Sequence, residues 1–181
     1  SLVALELDRV RDAGRIADLG AGAGFPGLPL AAALPQAQVA LVESLARKGA
    51  FLERAVQAMG LTNAEVVVAR AEDWAAGLGV CDLVTARALA PLAVIVEYAA
   101  PLLASGGALV AWKGRRDGDE EADGAAAAAH LGLEPAAIRS VDPWPTARHR
   151  HLHLYLKVRS TPNGYPRRAG MARKRPLRAS T

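Results

Sequence analysis

The segment that most constrains the fold is Asp18-Leu19-Gly20-Ala21-Gly22-Ala23-Gly24-Phe25-Pro26-Gly27, which contains four glycines. The apolar residues before it, 15–19, are predicted to form a β-strand, and residues 27–34 are predicted to form an α-helix that ends at Pro35. Glycines between a strand and a helix let a ligand approach the backbone, because no Cβ stands in the way. The segment therefore predicts an α/β domain with a ligand site at this turn.

The remaining chain continues the alternation of short strands and helices. Further strands are predicted at 39–42, 65–69, 82–86 and 108–113, with helices at 45–59, 91–103 and 125–131. A turn is predicted at 105–107 and a loop at 114–124, and residues 139–141 and 152–158 are expected to pair antiparallel at the sheet edge. This pattern predicts an α/β fold with a doubly wound, mostly parallel seven-stranded sheet. Residues 1–160 would form the domain and residues 161–181 a basic, irregular C-terminal tail.

Composition narrows the class of protein. The chain has 181 residues, of which 51% are hydrophobic and 22% charged, as in a folded domain rather than a disordered chain. Its apolar stretches are too short to span a bilayer, and no signal peptide pattern is present, so we expect a cytoplasmic protein that does not bind membranes. Cys81 is the only cysteine, which excludes a disulfide framework.

Positive charge is concentrated at the C-terminal end. Residues 1–142 hold 12 Lys/Arg against all 18 Asp/Glu, whereas residues 143–181 hold ten Lys/Arg and no acidic residue. Such a basic end predicts a polyanionic partner. The charge alone does not distinguish RNA from DNA, from an anionic membrane or from a merely solvated tail.

The glycine pattern by itself allows two kinds of cofactor. Gly22-x-Gly24-x-x-Gly27 followed by Glu43 matches a dinucleotide fingerprint, which would indicate an NAD(P)-dependent oxidoreductase. Asp18 favours S-adenosyl-L-methionine instead, because a carboxylate suits the cationic amino-acid end of that ligand and repels a pyrophosphate. In this interpretation Glu43 bonds the ribose, and Ala71 and Glu72 frame the adenine.

Several longer stretches carry a more specific resemblance. They are DLGAGAGFPGLPLA (18–31), ESLARKGAFLERA (43–55), ARAED (69–73), TARALAPL (85–92), GGALVAWKG (106–114), RHLHLYLK (150–157) and TPNGYPRR (161–168). Together they cover almost the whole chain, and on them it closely resembles the glucose-inhibited division protein B family, the bacterial 16S rRNA guanine-N7 methyltransferases.

The resemblance implies a Rossmann-like class I methyltransferase that methylates N7 of a guanine in the 530 loop of 16S ribosomal RNA. We expect the cofactor to contact Asp18, Gly20, Gly22, Gly24, Phe25, Glu43, Ser44, Leu45, Ala71, Glu72 and Arg87. Arg87 and Lys113 are the candidate catalytic residues. The partner would be the RNA or the small ribosomal subunit, held by Arg150, Arg167, Arg168, Arg173, Lys174 and Arg175, with Trp112, Trp144 or Tyr155 as possible stacking residues.

Three further expectations complete this interpretation. Family members carry an N-terminal helical part that would precede Ser1, and we expect this chain to be a monomer. No metal is expected, because His149, His151 and His153 of one predicted strand cannot easily close a tetrahedral site. A non-catalytic RNA-binding protein with a relic cofactor site stays open as the alternative.

Overall fold

The computed structural model describes residues 1–142, 144, 146 and 148–179. A 3-10 turn at Leu2–Glu6 precedes the first helix. The helices are α1 (Asp8–Arg11), α2 (Gly27–Ala33), α3 (Ala46–Ala58), α4 (Leu92–Ala99), α5 (Gly118–Leu131) and α6 (Met171–Lys174). The strands are β1 (Arg15–Leu19), β2 (Gln38–Glu43), β3 (Ala64–Val68), β4 (Cys81–Arg87), β5 (Leu103–Lys113), β6 (Leu133–Ser140) and β7 (His151–Lys157).

The seven strands form one sheet in the order β3-β2-β1-β4-β5-β7-β6. Strands β1 to β5 pair in parallel, whereas β7 lies antiparallel between β5 and β6. This topology confirms the predicted doubly wound sheet with its antiparallel edge pair. Because the order reverses between β1 and β4, the carboxyl ends of these strands open a crevice, which is where α/β sheets bind ligands.

The core explains why the central strands are apolar almost throughout. Helices cover both faces of the sheet, so in β1 every residue after Arg15 is buried. Helix α4 is buried along its whole length, because it lies between the sheet, α5 and the C-terminal segment. Among the described residues, no helix is both long enough and apolar enough to cross a membrane.

Four predicted boundaries are wrong. Helix α4 ends at Ala99, and the expected turn at 105–107 lies inside β5, where Gly106 has φ +77° and a Cβ on Gly107 would lie 2.9 Å from the Cys81 carbonyl oxygen. Helix α5 begins at Gly118 within the expected loop, because Asp117 caps it by accepting hydrogen bonds from two backbone amides. Strand β6 begins six residues early and tolerates Pro135 because it is an edge strand with an irregular register.

The C-terminal segment is packed onto the domain. It contains α6, in which Ala172 is buried in the core, and Tyr165 and Leu177 pack against the same apolar cluster. The predicted domain extends from residue 1 to residue 160, yet residues 161–179 contribute to its core as well. Residues 180 and 181 of the predicted tail lie outside the described residues.

Candidate functional site

The glycine turn between β1 and α2 adopts backbone conformations that require glycine. Gly20 has φ +65° and Gly24 has φ +89°, which L side chains rarely adopt. A Cβ on Gly20 would lie 2.6 Å from Leu89 Cδ1, and one on Gly24 would lie 2.2 Å from Leu28 Cδ1. The backbone of the turn at Gly20 thus packs against Leu89, which lies two residues after the end of β4.

Two carboxylates hold this turn from inside. Asp18 accepts hydrogen bonds from Gly27 N at 2.9 Å and from Thr85 Oγ1 at 2.8 Å, and it is only 1% exposed. Its burial raises its pKa to about 7, although both hydrogen bonds oppose that shift. The expectation that Asp18 contacts the cofactor's ammonium group is therefore wrong in this geometry, because the carboxylate is enclosed by the protein.

Glu43, at the end of β2, is placed differently. It accepts from Gly22 N at 3.1 Å and from Leu45 N at 3.0 Å, one bond for each carboxylate oxygen. Each oxygen can accept a second bond. Glu43 can therefore hold the turn and still accept hydroxyl groups of a ligand.

The backbone amides of the turn are largely committed to the protein itself. Gly20 N and Ala21 N donate to the Val42 carbonyl, and Gly24 N donates to Ala21. Gly22 N and Gly27 N donate to the two carboxylates. A pyrophosphate needs free amides and avoids carboxylates. The turn is therefore suited to a nucleoside without phosphates, which argues against the dinucleotide alternative.

A cleft of about 290 Å³ opens beside the turn, and we call it the glycine-turn cleft. It brings together the predicted residues Gly20, Ser44, Leu45, Ala71 and Glu72. Its other lining residues are Leu19, Val42, Ala69, Arg70, Leu89, Tyr98 and Arg173. Of these, Leu89 and Tyr98 were not predicted as site residues, because an apolar residue between a strand and a helix and an aromatic residue on a predicted helix usually belong to the core. Arg173 was predicted for RNA, yet it lines this cleft.

A second cleft, of about 340 Å³, lies at the ends of β4 and β5, and we call it the strand-end cleft. The predicted residues Arg87, Lys113 and Arg150 all line it, together with Trp112 and Trp144. Lys113 is already paired, since its Nζ lies 2.5 Å from Glu120 Oε1. Arg87 is exposed, and its guanidinium lies 5.9 Å from the centre of the Phe25 ring.

The two clefts are joined by three consecutive residues. Arg87 and Ala88 line the strand-end cleft, whereas Leu89 lines the glycine-turn cleft. Ala88 has φ +53°, an uncommon conformation for a residue with a side chain and one that is enriched at functional sites. Since successive Cα atoms are about 3.8 Å apart, residues 87 and 89 lie within about 7.6 Å of each other.

The predicted RNA-binding cations of the C-terminal segment differ in availability. Arg167 is bound to the buried Glu97 by two hydrogen bonds, of 2.6 and 2.5 Å, so its prediction as a free RNA contact is wrong. Arg173 donates to the Leu89 carbonyl at 2.8 Å. Arg168, Lys174 and Arg175 are exposed. Tyr155 is 3% exposed, so it cannot stack on a base.

The alternating histidines are spread over different environments. His153 is buried, and this burial lowers its pKa. His151 Nδ1 lies 2.8 Å from the Gly114 carbonyl oxygen. In the part of the chain that the structure describes, no cluster of His, Cys, Asp or Glu is arranged to hold a metal ion.

Comparison with known sequences gives a consistent picture. A family model described as "GidB: rRNA small subunit methyltransferase G" matches residues 1–152. A protein named ribosomal RNA small subunit methyltransferase G from Desulfitobacterium hafniense is 44% identical over 166 residues, covering 90% of this chain and 70% of that protein. The protein of the same name from Rubrobacter xylanophilus is 43% identical over 180 residues, covering 96% of this chain and 69% of that protein.

Solved structures share the fold. An S-adenosylmethionine-dependent O-methyltransferase from Thermotoga maritima superposes with a TM-score of 0.65 at 17% identity, over 89% of this chain and 65% of that one. An O-methyltransferase of neocarzinostatin biosynthesis, solved with S-adenosylmethionine, gives a TM-score of 0.68 at 17% identity, over 86% of this chain and 52% of that one. At these identities the likeness concerns the fold alone.

Proposed function

The chain belongs to the GidB family of small-subunit rRNA methyltransferases, and from this premise we propose that it methylates N7 of a guanine in the 530 loop of 16S rRNA. Its methyl donor is S-adenosyl-L-methionine. The observation that carries the proposal is the junction of the two clefts at residues 87–89. A nucleoside in one cleft and a base in the other would meet across this short segment.

The glycine-turn cleft fits the cofactor. Gly22 leaves room for it beside the backbone, whereas Leu89 fills the space beside Gly20. The spare lone pairs of Glu43 suit the two ribose hydroxyls. Ser44 and Leu45 would flank the ribose, and Ala71 and Glu72 the adenine. Asp18 would act indirectly, by fixing the turn through Gly27.

The strand-end cleft fits the guanine. Arg87 can donate to O6, an acceptor beside N7, and so leave the N7 lone pair directed at the methyl group. Phe25 and Trp144 are exposed aromatic groups near Arg87 that suit the face of a base. Arg150 would neutralise a neighbouring phosphate, whereas Lys113 would contribute less because Glu120 neutralises it.

The bound cofactor supplies an electrophilic methyl group on a sulfonium sulfur. A guanine held in the strand-end cleft would accept this methyl group through its N7 lone pair, which Arg87 would leave free by donating to O6. No proton has to leave N7 before the attack. The chain's contribution is therefore orientation and the exclusion of water, and good orientation can account for about 7–11 kcal/mol of a barrier. A general base near the methyl group is not required.

We expect the protein to act as a monomer in the bacterial cytoplasm, on RNA or on the small subunit. The direct test is methyl transfer from labelled S-adenosylmethionine to 16S rRNA that lacks this modification, offered both as naked RNA and as assembled subunits. Calorimetry with S-adenosylhomocysteine and with NADH tests the cleft separately. We expect the first ligand to bind and the second not to bind.

Two results would overturn the proposal. Binding of NADH at the glycine-turn cleft would indicate an oxidoreductase. Binding of S-adenosylhomocysteine and RNA without methyl transfer to either substrate would indicate an RNA-binding protein with a relic cofactor site.

A further inference from the structure

We propose that an exposed basic strip beside the glycine turn binds the sugar–phosphate backbone of the RNA strand that flanks the target guanine. The strip consists of Arg47, Lys48, Phe51 and Arg54 of α3 together with Phe25 and Arg87. It lies far along the chain from the basic C-terminal end. This inference rests on the proposed function, because it names where the same RNA continues beyond the strand-end cleft.

Helix α3 fixes the direction in which its cations point. Gly49 and Leu52 are buried, and a Cβ on Gly49 would lie 2.6 Å from Val68 Cγ2, so this side of the helix is pressed against β3. Arg47 and Arg54 are seven residues apart, which places them two turns apart on one face, with Phe51 between them. All three side chains are exposed.

The cations of α3 are available to a ligand. In the described part of the chain, no ion pair and no side-chain hydrogen bond involves Arg47, Lys48 or Arg54. This contrasts with Arg167, which is held by Glu97. Unpaired Lys and Arg on one face are what a polyanion needs, because each can neutralise one phosphate.

Both phenylalanines of the chain lie on this strip. Phe25 is 52% exposed and Phe51 is 44% exposed, although large apolar side chains are usually buried. Single-stranded nucleic acids are bound where exposed aromatic rings alternate with cations, since bases stack on the rings while phosphates meet the charges. The chemistry therefore fits an unpaired RNA strand better than a protein or a duplex.

The strip is continuous with the target site. A groove of about 710 Å³ runs between α3 and the turn, lined by Gly22, Ala23, Leu45 and the four α3 residues named above. Leu45 also lines the glycine-turn cleft. Phe25 lies two residues after Ala23 in the turn, and the Arg87 guanidinium lies over its ring. RNA leaving the strand-end cleft over Arg87 and Phe25 would thus reach α3 directly.

The test compares two double variants that each remove two positive charges. Arg47→Gln with Arg54→Gln alters the strip. Arg9→Gln with Arg15→Gln alters exposed arginines near the opposite, amino-terminal edge of the sheet. For the strip variant we expect KM for unmodified 16S rRNA to rise roughly tenfold at low salt, with kcat at saturating RNA and the Kd for S-adenosylhomocysteine unchanged.

Salt dependence separates charge from stacking. At about 0.7 per phosphate, the slope of log K against log salt should decrease in magnitude by about 1.4 in the strip variant and stay unchanged in the control. Phe51→Ser should weaken RNA binding with no change in slope, because it removes a stacking surface and no charge.

Three outcomes distinguish the possible failures. If the wild type methylates RNA but the strip variant matches the control in KM and slope, the inference is wrong. If the strip variant is impaired on assembled subunits and normal on naked RNA, the strip binds a ribosomal protein, which also overturns it. If the wild type neither binds nor methylates rRNA, the proposed function itself has failed.

Discussion

Two regions of this protein are rich in arginine and lysine, and the fold uses them differently. Residues 143–181 hold ten such residues, and at least four of them, Lys157, Arg159, Arg167 and Arg173, donate to acceptors of the protein itself. The basic strip holds only four, Arg47, Lys48, Arg54 and Arg87, yet their side chains are exposed. Charge density along a sequence therefore does not reveal which charges a partner can reach.

The hydrogen bonds of the C-terminal segment to the rest of the protein stabilise the walls of the glycine-turn cleft. Gly170 N donates to Glu72 Oε1, and Arg173 donates to the Leu89 carbonyl, so the segment is attached to two residues that line the glycine-turn cleft. Arg167 anchors it to Glu97 of α4. The C-terminal segment thus supports the cofactor cleft, whereas the strip offers its charges to the RNA.

The largest expected effect concerns stability. Arg167→Ala leaves Glu97 buried without its partner, so we expect the free energy of unfolding in urea to fall by about 3–5 kcal/mol. Arg168→Ala is the matched control, because Arg168 is exposed, and it should change that value by less than about 0.5 kcal/mol. If the two variants are equally stable and Arg167→Ala reduces the salt dependence of RNA binding, Arg167 binds RNA instead of stabilising the fold.

The next effect concerns catalysis at the junction of the clefts. Arg87→Ala should lower kcat by about 10- to 100-fold, the equivalent of one lost charge-assisted hydrogen bond to O6, and leave the affinity for S-adenosylhomocysteine within about twofold. Arg87→Lys should recover only part of the rate, since an ammonium lacks the planar fork. If the rate constant for methyl transfer in single-turnover assays does not change, Arg87 does not contact the target guanine.

How far the sequence predicted this architecture depends on the kind of signal. The sheet and the glycine turn follow from local periodicity and from glycine spacing, so Arg15–Leu19 and Gly27–Ala33 were found almost to the residue. The continuation of β5 through Ser105-Gly106-Gly107 was missed, because these residues are typical of turns and form an irregular stretch between Leu103 and Ala108, which both pair with β4. Local composition carries no information about that pairing.

The site shows the same division. Ser44, Leu45, Ala71 and Glu72 line one cleft and Glu43 bonds the turn beside it, because strand ends of a parallel sheet meet at one edge. Their contacts with the cofactor stay a prediction. The roles of Asp18 and Arg167 were misjudged, since their partners Thr85 and Glu97 are 67 and 70 residues away and no spacing rule connects them. Which cations remain free is a property of the tertiary structure.

A smaller expected effect is a pH dependence of stability that comes from Lys157, a buried lysine of the basic C-terminal end. Lys157 donates to the Ala100 and Leu131 carbonyls, and burial lowers its pKa from 10.5 to about 8. The unfolded chain then binds more protons between about pH 8 and 10.5, so this lysine's contribution to stability rises with pH across that window and is constant below it. The difference in free energy of unfolding between wild type and Lys157→Met, measured by urea denaturation from pH 6 upward, should show this rise. A flat difference would mean that Lys157 is not buried as a cation.

The smallest effect is expected from the exposed C-terminal cations. Arg168→Gln with Lys174→Gln should reduce RNA affinity less than the strip variant does, with a salt slope that falls by at most about 1.4, because these residues lie outside the groove beside the turn. Filter binding at several salt concentrations, side by side with Arg47→Gln and Arg54→Gln, provides the comparison. If the C-terminal variant loses more RNA affinity than the strip variant, the exposed C-terminal cations contribute more to RNA binding than the strip does, which contradicts this comparison.

The most direct test of the whole account is the position of the transferred methyl group. Borohydride reduction followed by aniline cleaves RNA at N7-methylguanine, and primer extension then locates the break. After incubation of unmodified 16S rRNA with the protein and S-adenosylmethionine, we predict one new break within the 530 loop, which Arg87→Ala strongly weakens. A break elsewhere, or incorporated label without any aniline-sensitive site, would contradict the assignment.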